Sequence, residues 1–306
     1  MRSPAPIALF VYDRPLHAEQ TLESLRRNPE SSDSDLIIFS DGSRSLDDAE
    51  RVRRTRAVIA AAGGFRSVRV VLRDENWGLA RSIIGGVGEV LRDHGRVIVL
   101  EDDMITSPRF LGYMNAALDR YADEPSVGSV HAYMYPIEGL PEFFFTKGGD
   151  CWGWGTWRDR WSMFEPDGRA LLRELKRRGL LKEFDRTGGN HMVRMLIGQI
   201  RGENCSWFIR WHASLFLNGK LTLQPGRSFI HNIGADGSGT HFPRTALFDV
   251  LPERSFAGLP SIEPAADCRA TEEIRKFFER GTGEPWYKAV LQNWRDEIRL
   301  RRVLHG

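Results

Sequence analysis

Over its first hundred residues the chain alternates short β-branched runs with longer segments of helical period, and no other feature restricts the fold as much. Ile7 to Tyr12, Leu36 to Ser40, Val68 to Leu72 and Val97 to Leu100 read as strands, with helical patterns at His17 to Arg27, Asp47 to Ala62 and Leu79 to Asp93 between them. Strand, helix and strand in succession make βαβ units, whose strands lie parallel in one sheet. The expected class is therefore α/β, a mostly parallel sheet flanked by helices. Ligands of such open sheets bind beyond the carboxyl ends of the strands, so the residues just after each run carry the most weight.

Those residues are polar in all four cases. Asp13-Arg14 follows the first run, Asp41-Gly42 the second, Arg73-Asp74-Glu75-Asn76 the third and Glu101-Asp102-Asp103 the fourth. Converging polar strand ends suit a nucleotide pocket, although turns after strands are also polar for solubility alone. The last of them concentrates three carboxylates, which repel one another unless a positive charge compensates them. Mg²⁺ or Mn²⁺, which take one or two carboxylates together with phosphate oxygens and waters, meet that need. An acidic turn capping the next helix is the plain alternative.

Beyond Met104 the regular alternation stops. A helical pattern at Phe110 to Tyr121 is followed by apolar stretches at Val127 to Tyr135 and Phe143 to Thr146, and then by the aromatic segment Trp152-Gly153-Trp154-Gly155-Thr156-Trp157. Charged helical patterns cover Gly168 to Glu183 and Gly189 to Arg201, a further helix Trp207 to Leu217, and a strand Leu221 to Leu223. Asn232 to His241 is a glycine-rich loop, and an amphipathic, partly basic helical region begins at Thr271.

The 306 residues carry 43 Lys and Arg against 41 Asp and Glu, and a net charge of +2 leaves no overall footprint for nucleic acid. Cys151, Cys205 and Cys268 are odd in number and far apart, which makes neither a disulfide framework nor a zinc site. With no run long enough to span a bilayer, the chain reads as cytoplasmic.

Phe10-Val11-Tyr12-Asp13-Arg14, Ile38-Phe39-Ser40-Asp41-Gly42 and Val97 to Asp103 resemble, in order and spacing, the N-acetylglucosaminyltransferase I family and related bacterial family 2 sugar transferases. Three further stretches are similar to elements of the bacterial group: Asn76-Trp77-Gly78-Leu79-Ala80-Arg81-Ser82, Asp150 to Trp161, and Asn232 to His241. The resemblance covers Pro6 to Phe242. It implies the GT-A type of fold and a metal-dependent, inverting glycosyltransferase of the hexosyltransferase type, acting in polysaccharide or glycoconjugate biosynthesis. The donor would be a nucleotide-diphosphate sugar, most readily a UDP-sugar, and the acceptor a glycan or a lipid-linked sugar.

On that resemblance Asp103 coordinates Mn²⁺ or Mg²⁺, with His241 completing the metal shell or binding phosphate. Glu101 and Asp102 face nucleoside and sugar, Arg14 approaches the diphosphate, and Asp41 contacts the base. Asp13, Asn76, Arg81 and Ser238 complete the donor site. Trp152, Trp154 and Trp207 are acceptor-side candidates, because indole faces stack on sugar rings and the glycines between them admit a ligand. An aromatic core is the alternative for these tryptophans. Inverting transfer also needs a base for the acceptor hydroxyl. The positions where relatives carry that Asp hold Cys205 or Phe208 here, so Glu203 is the first candidate, with Asp150 and Asp236 as substitutes.

The expected organisation is a catalytic domain over residues 1–245, divided into a donor half (1–103) and an acceptor half with its closing loop (104–245), followed by a C-terminal helical extension (246–306). The basic tail, ending in Arg299 to Arg302, fits three roles: docking on an anionic inner membrane face, packing on the catalytic domain, or forming a homodimer. Two other functions share some of these features. A sugar nucleotidyltransferase would have the acidic strand end but also a glycine-rich basic loop after the first strand, where this chain has Asp13-Arg14-Pro15-Leu16-His17. A non-catalytic carbohydrate or nucleotide-sugar binder would explain the tryptophans but not the triplet.

Overall fold

A strand that is apolar on both faces must be covered on both. In the computed structural model, which describes residues 3–187, 191–237, 245–281 and 303, the opening strand β1 (Ile7–Val11) is of this kind. Ile7, Leu9 and Val11 enter one core, while Ala8 and Phe10 enter a second on the opposite face. The alternation continues through α1 (Pro15–Arg26), β2 (Asp35–Ser40), α2 (Leu46–Ala60), β3 (Ser67–Leu72), α3 (Leu79–His94) and β4 (Arg96–Glu101). These four strands and three helices stand where the sequence pattern places them.

β1 pairs in parallel with β2 on one side and β4 on the other, and β2 with β3. All four carboxyl ends therefore open on one edge of the sheet. Ser45 begins α2 with a reciprocal capping box to Asp48. Asp48 also receives the Tyr12 hydroxyl, which ties that helix to the end of β1.

The sheet continues past Met104 as a mixed one, with two of its four further strands reversed. After β5 (Met104–Thr106) and α4 (Phe110–Arg120) come β6 (Val127–His131), β7 (Phe143–Lys147) and β8 (Trp154–Trp157). The helical layer follows as α5 (Arg158–Trp161), α6 (Gly168–Arg177), α7 (Leu181–Arg186), α8 (Met192–Ile200) and α9 (Phe208–Leu217), and then β9 (Leu221–Pro225) and β10 (Ile230–Asn232). The eight-stranded sheet has the order β3-β2-β1-β4-β8-β6-β9-β7, and β10 pairs separately with β5. The charged pattern at Gly168 to Glu183 is two helices rather than one, separated where the Leu180 N–H folds back to the Leu175 carbonyl.

The aromatic segment supplies β8, an inner strand running antiparallel between β4 and β6. Its glycines serve protein packing. A Cβ on Gly155 would lie 3.0 Å from the Val97 carbonyl and 3.1 Å from Met114 of α4, and one on Gly153 would strike Ile230 of β10. Trp154 is completely buried and stacks on Trp207, with ring centroids 5.3 Å apart, inside a cluster that includes Trp161 and Trp211. Trp154 and Trp207 are thus core residues, a correction to their place as acceptor candidates: their faces are spent on one another.

Residues 246–267 run as a non-helical strap whose Phe256, Leu259, Ile262 and Ala266 pack on the sheet, and the helix of the expected extension starts only at α10 (Cys268–Gly281). Ala270 and Ile274 of α10 cover Met134 and Phe144. The basic run Arg299 to Arg302, with Trp286, Tyr287 and Trp294, lies outside the described residues. Among the described residues no helix is long and apolar enough to cross a membrane. Trp154→Ala should lower stability by about 3–5 kcal/mol, the usual cost of emptying a buried aromatic site, as read by urea unfolding.

Candidate functional site

The carboxyl end of β4 is held in place from three directions. The Thr21 hydroxyl of α1 donates to the Asp102 carbonyl at 2.7 Å and accepts from Met104 N–H at 3.2 Å. Across the opening, the Ile233 N–H donates to the Asp103 carbonyl at 2.9 Å, which lays the start of the glycine-rich loop against the triplet. The guanidinium of Arg14, at the end of β1, bridges Asp102 and Asp103, reaching Asp103 Oδ2 at 2.9 Å. Parallel pairing of β1 and β4 makes this bridge almost unavoidable, because Phe10 is level with Glu101.

One cation faces three acids. Burial and the neighbouring Asp103 and Asp102 push Glu101 up to about 8, and burial lifts Asp102 to about 6 in spite of Arg14. Burial pulls the Arg14 guanidinium down, but Asp102 and Asp103 reverse this and hold it above its ordinary value. Asp103 divides its two oxygens. Oδ2 takes Arg14, and Oδ1 is buried without a hydrogen-bond partner among the described residues. Gly234 passes so close that a Cβ there would fall 2.1 Å from Oδ2.

A second cluster forms at the ends of β2 and β3. Both oxygens of Asp41 accept backbone donors at 2.8 Å, Oδ1 from Trp77 and Oδ2 from Gly78, at the start of α3, where the helix dipole favours an anion. Asn76 donates to the Gly42 carbonyl at 2.8 Å. Arg73 and Arg81 both lie over the Trp77 ring, at 3.9 and 4.1 Å. Asp13 turns away from the triplet to pair with Arg51 of α2 at 2.7 Å. Arg56, which ties this cluster together through the Asp41 and Arg73 carbonyls, stands in a charged helical segment with nothing local to single it out.

The three carboxylates considered as bases fall in different places. Glu203 pairs with Arg201 at 2.6 Å in the turn between α8 and α9. Asp236 follows β10 and lies 3.3 Å from His17 of α1. Asp150 precedes β8, and β8 runs antiparallel to β4 with Trp154 level with Val99. The pairing stops at Trp154: Gly153 takes a positive φ of 66°, and Asp150 turns its Oδ2 to within 3.4 Å of His131 Nδ1 on β6. Cys151, next to it, feels both sides: burial first, then Asp150, Glu101 and Asp103, push its thiol well above its ordinary value. Trp152 is half-buried, edge-on to Tyr133 at 4.7 Å and to Phe248 at 5.5 Å.

The structure thus brings together Arg14, Glu101, Asp102 and Asp103, the segment Asn232 to Asp236, and the loop at Asp150 to Trp152. Ser238 and His241 lie outside the described residues. Among the described residues no group of three or more His, Cys, Asp or Glu is placed to hold a metal ion.

Residues 7–143 match the profile of a family described as Glycosyl transferase family 2, and the sheet order and flanking helices are those of a GT-A-like α/β fold. A search of curated protein sequences finds no match. Among solved structures, the glucosyl-3-phosphoglycerate synthase of Mycobacterium tuberculosis, determined with Mn²⁺, UDP and glucosyl-3-phosphoglycerate, is 13% identical with a TM-score of 0.35, over 57% of this chain and 67% of that one. S. aureus TarS is 11% identical with a TM-score of 0.39, over 76% of this chain and 37% of that one. The 4-diphosphocytidyl-2C-methyl-D-erythritol synthase of Anaerococcus prevotii is 12% identical with a TM-score of 0.34, over 52% and 73%.

The raised acids make a pH dependence. A carboxyl group held above its ordinary pKa costs nothing while protonated, and the cost of ionising it in the fold appears as pH climbs toward the raised value. Stability of the cation-free protein should therefore fall between about pH 5 and about pH 8. Glu101→Gln should flatten that slope in urea midpoints measured across the range.

Proposed function

We propose that the chain is a glycosyltransferase that moves a sugar, most readily a hexose, from a nucleotide-diphosphate donor to an acceptor hydroxyl with inversion at the anomeric carbon. The observation that carries this reading is the end of β4: three carboxylates, one resident guanidinium, and the buried, unpartnered Oδ1 of Asp103. An anionic site that keeps one oxygen unsatisfied beside an arginine suits a cation and a diphosphate together better than it suits either alone. The match of residues 7–143 to the glycosyl transferase family 2 profile supports the same reading.

Mn²⁺ or Mg²⁺ held by Asp103 would supply Lewis-acid neutralisation of the departing diphosphate. Arg14 meets the same charge from the protein side, where a bidentate donor is well matched to phosphate oxygens. The cluster around Asp41 and Trp77 is the place for the nucleoside, UDP being the donor nucleotide first in order. Segment Asn232 to Asp236, fastened to Asp103 through the Ile233 N–H, borders the donor on that side.

For the acceptor, Asp150 is the base. It precedes β8 in the loop that holds the half-buried Trp152, whereas Glu203 is engaged with Arg201 and Asp236 is near His17. Asp150 takes the proton of the acceptor hydroxyl as that oxygen attacks the anomeric carbon opposite the leaving diphosphate. The acceptor class is a glycan or a lipid-linked sugar in glycoconjugate synthesis on the cytoplasmic side.

Calorimetric titration with UDP-, GDP- and dTDP-sugars, with and without Mn²⁺, should find one nucleotide bound tightly only with the cation. Asp103→Asn should abolish that synergy, and unchanged binding in the variant would overturn the assignment. Asp150→Asn should keep donor binding and lose about 10²- to 10⁴-fold in turnover, read as Mn²⁺-stimulated hydrolysis of the bound UDP-sugar with water as acceptor.

A further inference from the structure

The helical layer α6 to α8 concentrates positive charge. Between Gly168 and Arg201 nine Lys or Arg stand against three Asp or Glu, in a chain whose net charge is +2, so the rest of the protein is on balance acidic. The acids of this layer are already taken up. Glu174 is shared by Arg177 and Arg178, each at 2.6 Å, and Glu183 pairs with Lys147 of β7 at 2.6 Å. Arg169, Arg173, Lys176 and Lys182 are exposed and meet no carboxylate among the described residues. Arg169, Arg173, Lys176 and Arg177 follow one another at i, i+4, i+7 and i+8, the spacing of a single helix face, and extend over about 12 Å of α6. The opposite face of α6 is apolar and buried: Leu171, Leu172 and Leu175 enter a third core with Leu196 of α8 and Ile209 of α9.

We propose that this basic face of α6, with Lys182 of α7, docks the protein on a membrane surface that carries anionic lipid headgroups. The charge complementarity is of the kind such a surface selects, a cluster of cations turned one way. Rings are missing from it. The one Phe, Tyr or Trp between Gly168 and Arg201 is Phe184, and it is completely buried. A glycan or a single-stranded nucleic acid is gripped by stacking on aromatic faces, whereas a plane of headgroup phosphates needs cations alone. Because α6 gives its apolar face to the core, nothing on this helix inserts among acyl chains, and the attachment is electrostatic, reversible and weakened by salt. The docking is independent of the donor and acceptor assignments, and it would hold the chain at the surface where lipid-linked acceptors reside.

The experiment sediments the full chain with vesicles of phosphatidylcholine alone, and with vesicles of phosphatidylcholine and phosphatidylglycerol in equal parts, in the absence of nucleotide sugar and divalent cation. Wild type should pellet with the anionic vesicles alone, and about 1 M salt, which cuts the screening length to about 3 Å, should release it. Arg173→Gln with Lys176→Gln should weaken that binding by about 30-fold. Arg53→Gln with Arg54→Gln, the same loss of charge on exposed positions of α2, should bind as wild type does. Thermal unfolding of both pairs separates a lost fold from lost docking. Wild type indifferent to anionic vesicles, a folded α6 pair that binds unchanged, or an α2 pair that loses as much would each overturn the proposal. Capture by soluble alginate without vesicle binding would overturn it as well and make an acidic glycan the partner. Failure to bind any nucleotide sugar would sink the proposed function and leave this result standing.

Discussion

Three consecutive carboxylates at the mouth of a buried strand are a charge the fold has to answer, and the answer organises this half of the molecule. Arg14 is the nearest reply, fixed at the adjacent strand end by parallel pairing of β1 with β4. Burial, which Arg14 only partly offsets, and the neighbouring acids keep Glu101 and Asp102 above the ordinary carboxylate range. The backbone of the triplet is then pinned by Thr21 from one side and Ile233 from the other, so the acids cannot relax away from one another.

The meeting of the residues before β8 with the triplet's edge depends on a change of strand direction. Had β8 run parallel to β4, its amino end would lie at the far edge of the sheet, and the Asp150 loop would be remote from the triplet. Antiparallel insertion brings residues 150–152 to the same edge as Glu101 to Asp103. Trp154 of this strand then packs on Trp207 and on Trp211 of α9 in the second core, while Trp157 enters the first. Structure and site thus share one segment, with Trp154 in the core and Asp150, four residues earlier, at the opening.

The sequence pattern located the parallel half closely, because alternating βαβ units leave few topologies and because strands buried on both faces are uniformly apolar. It also singled out Arg14 and the triplet, since charge at a strand end needs only local context to be noticed. It went astray with the tryptophans: glycine between indoles reads as an opening for a ligand, and here the close approach is by α4 and β10. His131, 3.4 Å from Asp150, gave no signal, because it sits inside an apolar run.

What the sequence determined by itself is therefore the element order of the first hundred residues, the edge on which the polar residues gather, and the chemistry of that edge, all of which follow from local periodicity and strand-end composition. Only the tertiary structure decided which distant segments join that edge. That Asn232 to Asp236 lies on Asp103, and that the residues before β8 reach the same edge, depend on pairings between residues up to 128 positions apart, β5 with β10 (Asn232 with Met104) and β4 with β8 among them. Such contacts are set by the packing of whole layers, and a side chain's neighbours in the chain carry no trace of them.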